Sequence, residues 1–173
     1  MDLVPLVING TFGIIAEFHE DARGSLTRVW DKKSILGNFD LIQSSVVTNP
    51  KSKTMRGLHY QSTPFAENKI VKCVSGRVFD VIVDLREESR TYRKHVAIEL
   101  GPKSDFLGVF IPSGCAHGYL TLEDNSTLIY FMDKEYSPES SRGLFWNDPA
   151  LSISWPSNPI LISERDSKWP TLD

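Results

Sequence analysis

Apolar and polar residues alternate along most of this chain in short runs, and turn residues cut those runs at regular intervals. Alternation with a period of two places one set of side chains on each face of a strand, whereas an amphipathic helix needs apolar residues at i, i+3, i+4 and i+7. No stretch sustains the helical spacing over three turns. Residues 3–18, interrupted by Asn9-Gly10, read as one or two opening strands; Ser25–Asp31, after the turn Asp21-Ala22-Arg23-Gly24, and Leu41–Thr48 read as further strands. Lys32–Leu36, closed by Gly37-Asn38, is the one candidate short helix. Lys69–Val74, Val78–Leu85, His95–Leu100, Phe106–Ile111, Cys115–Leu122 and Thr127–Met132 then follow one another as strands separated by turns. Short, evenly spaced strands with little helix predict an all-β sandwich or barrel. Residues 138–173, rich in Trp, Pro and Ser, read as extended loops wrapped over it. No internal repeat or low-complexity segment divides the chain, so 1–173 reads as a single domain.

Composition removes several function classes. Nineteen Lys and Arg against 22 Asp and Glu give a net charge of −3, without the basic excess of a nucleic-acid-binding protein. No apolar run approaches the ~20 residues of a membrane-spanning helix. The opening Met-Asp-Leu-Val-Pro lacks the basic and apolar regions of a signal peptide. Cys73 and Cys115 are too few and too far apart for a disulfide framework or a zinc site. The expectation is a soluble cytoplasmic protein with two ordinary thiols, no nucleic-acid partner and no membrane association.

The chemistry concentrates in Met55-Arg56-Gly57-Leu58-His59-Tyr60-Gln61, which follows the basic, turn-rich Asn49-Pro50-Lys51-Ser52-Lys53 and precedes Lys69 at the head of an alternating run. Interiors rarely hold uncompensated cations, so a histidine among Arg56 and Lys69 does not suit a packed core. It suits proton removal beside an accumulating negative charge, with a solvated basic loop as the other reading. In Val78–Leu85, strand parity puts Asp80, Ile82 and Asp84 on one face and Phe79, Val81 and Val83 on the other. The two carboxylates either orient a His or Arg in a polar pocket or face solvent; parity does not choose.

Gly108-Val-Phe-Ile-Pro-Ser-Gly114-Cys-Ala-His117 resembles the second signature of the cupin superfamily, a turn feeding a barrel strand with an inward histidine. Metal-binding cupins carry an earlier His-x-His pair and a glutamate, where this chain has His59-Tyr60-Gln61. Two lone histidines leave a transition metal short of its usual three or four ligands, so no metal is expected. More specifically, Arg56–Gln61, Lys69-Ile-Val-Lys72, Val78–Arg86, Ile111–Gly118, Tyr130, Tyr136-Ser-Pro138, Trp146–Pro149, Ile153–Pro156 and Ser163–Asp166 resemble the dTDP-4-dehydrorhamnose 3,5-epimerase family. These motifs occur in the family's order and span nearly the whole chain.

The resemblance implies a cupin-type double-stranded β-helix, or jelly roll, with short peripheral helices. It implies a homodimer built with the N-terminal strands and an isomerase that needs no cofactor. Its substrate would be a nucleotide-linked 4-keto-6-deoxyhexose, inverted at C3, C5 or both. Carried over by position, His59 is the general base, Asp166 its orienting carboxylate, Lys69 with Arg56 the enolate-stabilising cations, and Tyr130 the acid on the opposite face. Arg23, Arg56, Gln61, His117 and Tyr136 are the expected substrate contacts, with His117 either a pocket wall or a contact. Alternation puts Arg56 and His59 on opposite faces, which a bulge at Gly57 would reconcile. The departures lie on the nucleotide side: Asp21-Ala-Arg23-Gly in place of Asp-Glu-Arg-Gly, and Ser44-Ser45-Val46 in place of Gln-x-Asn. A CDP- or other NDP-linked sugar is therefore an alternative; a single-centre epimerase and a 3,4-ketoisomerase, which share the enolisation and differ in where the proton returns, and a non-catalytic sugar-nucleotide-binding subunit are the rival readings.

Overall fold

The alternating runs become strands where expected, and their register decides which side chains share a face. The computed structural model describes residues 1–32 and 39–172. Its strands are β1 (Asp2–Pro5), β2 (Phe12–Ile15), β3 (Phe18–Asp21), β4 (Gly24–Thr27), β5 (Gln43–Asn49), β6 (Thr54–Gln61) and β7 (Lys69–Ser75). They continue as β8 (Val78–Asp84), β9 (His95–Leu100), β10 (Gly108–Ile111), β11 (Cys115–Thr121), β12 (Ser126–Met132), β13 (Ser141–Gly143) and β14 (Leu161–Ile162). One sheet runs β1-β2-β10-β7-β12-β5; the other runs β13-β6-β11-β8-β9, with β14 added parallel to β6. The other strand-to-strand pairings among the described residues are antiparallel, and β3 and β4 form a separate hairpin. Two such sheets, connected by crossovers between non-sequential neighbours, make a jelly roll.

Three departures from the sequence expectations are local. The strand expected over Ser25–Asp31 stops at Thr27. The candidate helix over Lys32–Leu36 lies almost wholly outside the described residues. Among those described, helix is confined to single 3-10 turns at Pro138–Ser140 and Asp166–Lys168, and the tail contributes β13 and β14 rather than loops alone.

Three apolar clusters hold the sheets in place. Between the sheets, Val71, Cys73, Val109, Ile111 and Leu128 meet Val78, Ile82, Cys115 and Tyr119. Outside the second sheet, Leu58, Val81, Val83 and Ala116 are covered by Leu144, Leu151, Ile153 and Trp155 of the tail. Outside the first sheet, Ile14, Ile70, Phe110 and Phe131 are covered by Trp30 and Phe39. Trp30 stacks on Phe131 at 5.8 Å between centroids. The Val78–Leu85 parity is thus resolved: Val81 and Val83 face the tail, while Ile82 faces the inter-sheet core and brings Asp80 and Asp84 inward with it.

The bulge at Gly57 is present. On β11, His117 pairs with His59 and Tyr119 with Arg56, so three steps on β6 match two on β11. Gly57 has φ 126°, and a Cβ there would lie 2.5 Å from Gly118 Cα. Only glycine accepts both the backbone conformation and that approach. The extra residue turns Arg56 and His59 to the same cavity.

Candidate active site

The open end of the sandwich is a cavity of about 340 Å³ lined by Arg56, His59, Gln61, Glu67, Lys69, His117, Tyr130, Lys134, Tyr136 and Arg165, among others. The core-facing parity of each strand continues into polar residues at this end. On β7, inward Val71 and Cys73 give way to Lys69; on β12, Leu128 gives way to Tyr130; on β11, Tyr119 gives way to His117. One sheet therefore presents Lys69 and Tyr130, and the facing sheet presents His59 and His117.

His59 Nε2 lies 2.7 Å from Asp166 Oδ1 although 107 residues separate them. The tail makes the contact: Phe145 N–H donates to Pro170 O, and Leu172 N–H to Asp148 Oδ2, folding the terminus over β6 and β13. Asp166 also accepts from the Gly57 N–H at 3.2 Å and from Trp169 Nε1 at 3.3 Å. Burial pushes the Asp166 carboxyl up, but the bond from His59, its charge, and the bonds from Gly57 and Trp169 outweigh burial and hold it below its ordinary value. An ionised carboxylate only accepts, so His59 donates through Nε2–H and keeps Nδ1 as its basic nitrogen. The imidazole is 41% exposed and its partner 7%, so the ring meets the cavity while the carboxylate stays dry.

A second pair sits deeper. His117 Nε2 lies 2.7 Å from Asp80 Oδ2, with both residues buried. Parity left Asp80 open to either role, and it orients a histidine; Asp84 instead binds Arg86 through both oxygens. The His117 ring stands edge-on to Tyr130 at 6.0 Å. Burial pushes the Tyr130 phenol well above its ordinary value, with Tyr119 and Asp80 adding to the effect and Arg56 opposing it. Tyr130 therefore holds its proton until a stronger base forms next to it. Arg56 Nε donates to Asn49 Oδ1 at 2.9 Å, which also accepts from Tyr119 OH, so the guanidinium is braced against the cavity wall. Lys69 Nζ pairs with Glu67 Oε1 at 2.7 Å.

Of the expected substrate contacts, Arg56, Gln61, His117 and Tyr136 come together at this cavity. Gln61 has its amide committed to the wall: Nε2 donates to Phe65 O and Glu135 O, and Oε1 accepts from Ser137 N–H. Arg23 is elsewhere, on the exposed β3–β4 hairpin, where Asp21 holds it at 2.6 Å. Sequence reasoning did not single out Glu67, Lys134 or Arg165. Glu67 stands two residues before Lys69, a spacing that turns both to one side of an extended chain, and that was its available signal. Burial pushes both thiols, Cys73 and Cys115, up to about 12, which removes them as nucleophiles. Among the described residues no three His, Cys, Asp or Glu side chains group as ligands for a metal ion.

A histidine–carboxylate pair facing a protonated tyrosine and a cation across one cavity is equipped to remove a carbon-bound proton, hold the resulting enolate and reprotonate it. The dTDP-4-dehydrorhamnose 3,5-epimerase profile matches residues 5–173. This chain belongs to that family. It is accordingly an epimerase-type isomerase. A dTDP-4-dehydrorhamnose 3,5-epimerase of Sinorhizobium fredii is 39% identical over 157 residues, covering 88% of this chain and 80% of its own. The Bacillus anthracis dTDP-4-dehydrorhamnose 3,5-epimerase crystal structure, with TDP and PPi bound, superposes with a TM-score of 0.92 at 32% identity, over 99% of both chains. ChmJ of Streptomyces bikiniensis, a 3'-monoepimerase solved with dTDP-quinovose, superposes with a TM-score of 0.88 at 29% identity, over 96% of this chain and 86% of its own.

Proposed function

We propose that the protein inverts both C3 and C5 of a dTDP-linked 4-keto-6-deoxyhexose. The observation that carries this reading is the opposition of His59 on β6 and Tyr130 on β12 across one cavity, with Lys69 beside them. The C4 ketone acidifies the protons on C3 and C5. His59, oriented by Asp166, takes one of them, and the C–H electron pair moves into an enolate whose charge gathers on the C4 oxygen. Lys69 and Arg56 face that charge, and preorganised donors at such a position contribute several kcal/mol of transition-state stabilisation. Tyr130 then donates its proton to the same carbon from the opposite side, leaving a tyrosinate. A proton passed from the His59 imidazolium through solvent restores both groups. Repetition at the second carbon, with the ring shifted in the cavity, completes the double inversion.

Tyr136, Arg165 and Lys134 stand at the cavity mouth, where a diphosphate and a base would leave the sugar. The Arg165 guanidinium holds the Tyr136 phenol below its ordinary value, as it would any anion placed there. The protein acts as a homodimer in this reading, and Arg23 reaches the neighbouring copy's nucleotide. Exposed Phe18 and Leu26 on the β3–β4 hairpin and Val46 on edge strand β5 support an interface there. A single-centre epimerase is the second reading, favoured by the likeness to ChmJ. To test these readings, dTDP- and CDP-linked 4-keto-6-deoxyglucose are incubated with the enzyme in D₂O and the ring protons are followed by NMR. The expected result is deuterium and inversion at C3 and C5 of the dTDP sugar. Label and inversion at one carbon would establish the second reading, and no exchange with either nucleotide would reject both.

A further inference from the structure

Three carboxylates belong to this site. Asp166 and Asp80 are each committed to a histidine, at 2.7 Å in both cases. The third, Glu67, lies against Lys69, with side chains 7% and 8% exposed and Oε1 2.7 Å from Nζ. Its other oxygen, Oε2, is buried without a hydrogen-bond partner, as is Oδ1 of Asp80. Both features are costly. A buried carboxylate oxygen with no donor loses its hydration uncompensated, and a negative group beside a forming enolate opposes the charge that must gather there. A gain specific to Lys69 has to offset them.

The neighbouring lysine shows what that gain is. Lys72, three residues further along β7, is fully buried, and its ammonium contacts Met1 Sδ at 2.9 Å. Burial alone pulls Lys72 down to about 8. A lysine buried in an apolar strand without an anion loses its proton readily. Facing Lys69 are Arg56 and His59 from β6, His117 and Cys115 from β11, Tyr130 from β12, and Lys134 beyond it. The site's other carboxylates, Asp80 and Asp166, are each held by a histidine, so removal of Glu67 would leave Lys69 without a carboxylate of its own. The backbone also holds Glu67 in place. Asn68 N–H and Nδ2 donate to Asp133 at 2.8 and 2.6 Å, and Asn68 Oδ1 accepts from Ser113 N–H at 2.9 Å. With Asn68 anchored outward, residues 67 and 69 both turn inward.

We propose that Glu67 is a positioning residue of the epimerisation, fixing the Lys69 ammonium at the C4 oxygen and keeping it charged there. The inference rests on the function proposed above. The ion pair is neutral overall, so Lys69 acts through aimed N–H donors rather than through net charge, and Arg56 supplies the net cation. Glu67 acts only through Lys69.

The test reads Lys69 directly, in substrate-free protein carrying lysine labelled with ¹³C at the ε carbon. The Lys69 resonance is assigned by its loss in Lys69→Met and titrated by NMR in wild type, Glu67→Gln and Glu67→Ala. The expected result is titration about one pH unit lower or more in both variants, with the wild-type midpoint largely recovered in Glu67→Asp. In the same variants, kcat for proton exchange at C5 should fall about 100-fold with KM changed only a few-fold. Two variants of different size keep the result readable if one fails to fold. Equal Lys69 midpoints in wild type, Glu67→Gln and Glu67→Ala would overturn the proposal. Since the titration needs no substrate, that failure is distinct from a failure of the wild-type protein to exchange substrate protons.

Discussion

At the scale of single residues, His59 depends on Asp166 for its tautomer and its orientation. Removing the imidazole by His59→Ala should abolish exchange of the substrate's C3 and C5 protons with solvent, since a positioned base contributes about 10²–10⁴-fold. Asp166→Asn is predicted to cost a similar factor in kcat. The amide can present its N–H₂ to His59 Nε2 and so favour the tautomer whose proton sits on Nδ1, where the base must be free. Exchange measured by NMR at constant pH checks both; wild-type exchange in either variant would contradict the assignment. The residue types of this site were legible in the sequence because each stands in an unusual setting: His59 among cations, Lys69 at the mouth of an apolar strand, and His117 after a turn. Glu67 was not, because a glutamate in a loop ordinarily means a solvated charge and only the fold buries it. Gln61 shows the converse. Its position was anticipated, but its amide is consumed by the loops at Phe65, Glu135 and Ser137.

At the scale of elements, the alternation located β5 to β12 to within a few residues, because a strand buried on one face or both must write its parity into the sequence. It missed β13 and β14, which are three and two residues long and exist only because β6 offers them an edge. The Arg56/His59 conflict was legible as a conflict, and Gly57 as its remedy. Gly57→Ala should therefore destabilise the protein by about 1–3 kcal/mol in chemical denaturation, because Gly118 and the His117 carbonyl leave no room for a methyl group. Activity should fall further than stability, as His59 and Arg56 no longer share a cavity; unchanged activity would contradict the role given to the bulge. The end of β8 carries a separate pH dependence. Burial pushes the Asp84 carboxyl up, but Arg86, Ser89 and Thr91 outweigh it and hold the folded-state value far below the ordinary one. A depressed folded value stabilises the protein above the unfolded value of about 3.9 and loses that stabilisation as pH falls toward the folded value. Asp84→Asn should thus lower Tm at pH 7 by the equivalent of about 3 kcal/mol, and the gap to wild type should shrink as pH is lowered through 4 toward 2. A gap of constant size across that range would contradict this account.

At the scale of the whole molecule, the two-sheet architecture is what the proposed inversion relies on. His59 and its anchor belong to the β6 sheet, whereas Lys69 and Tyr130 belong to the β7–β12 sheet, and the substrate ring would lie between them. With the roles proposed for them, His59 as base on one wall and Tyr130 as acid on the other would address opposite faces of a carbon held midway. The proposed dimer belongs to this scale too. Sedimentation at micromolar concentration should give twice the chain mass, and a fully active monomer would contradict it. The strand pattern left the architecture open between sandwich and barrel, and neither the long-range pairing of His59 with Asp166 nor the facing of the two walls is written in local pattern, since both depend on contacts between residues far apart in the chain. The claim that the walls divide the chemistry is tested most directly by Tyr130→Phe in D₂O, with deuterium content and configuration at C3 and C5 read together by NMR. The predicted result is that deuterium still enters, because His59 on the facing wall remains, while the configuration is retained, because the acid that reprotonates the other face is gone. Inversion at the wild-type rate in Tyr130→Phe would contradict the account.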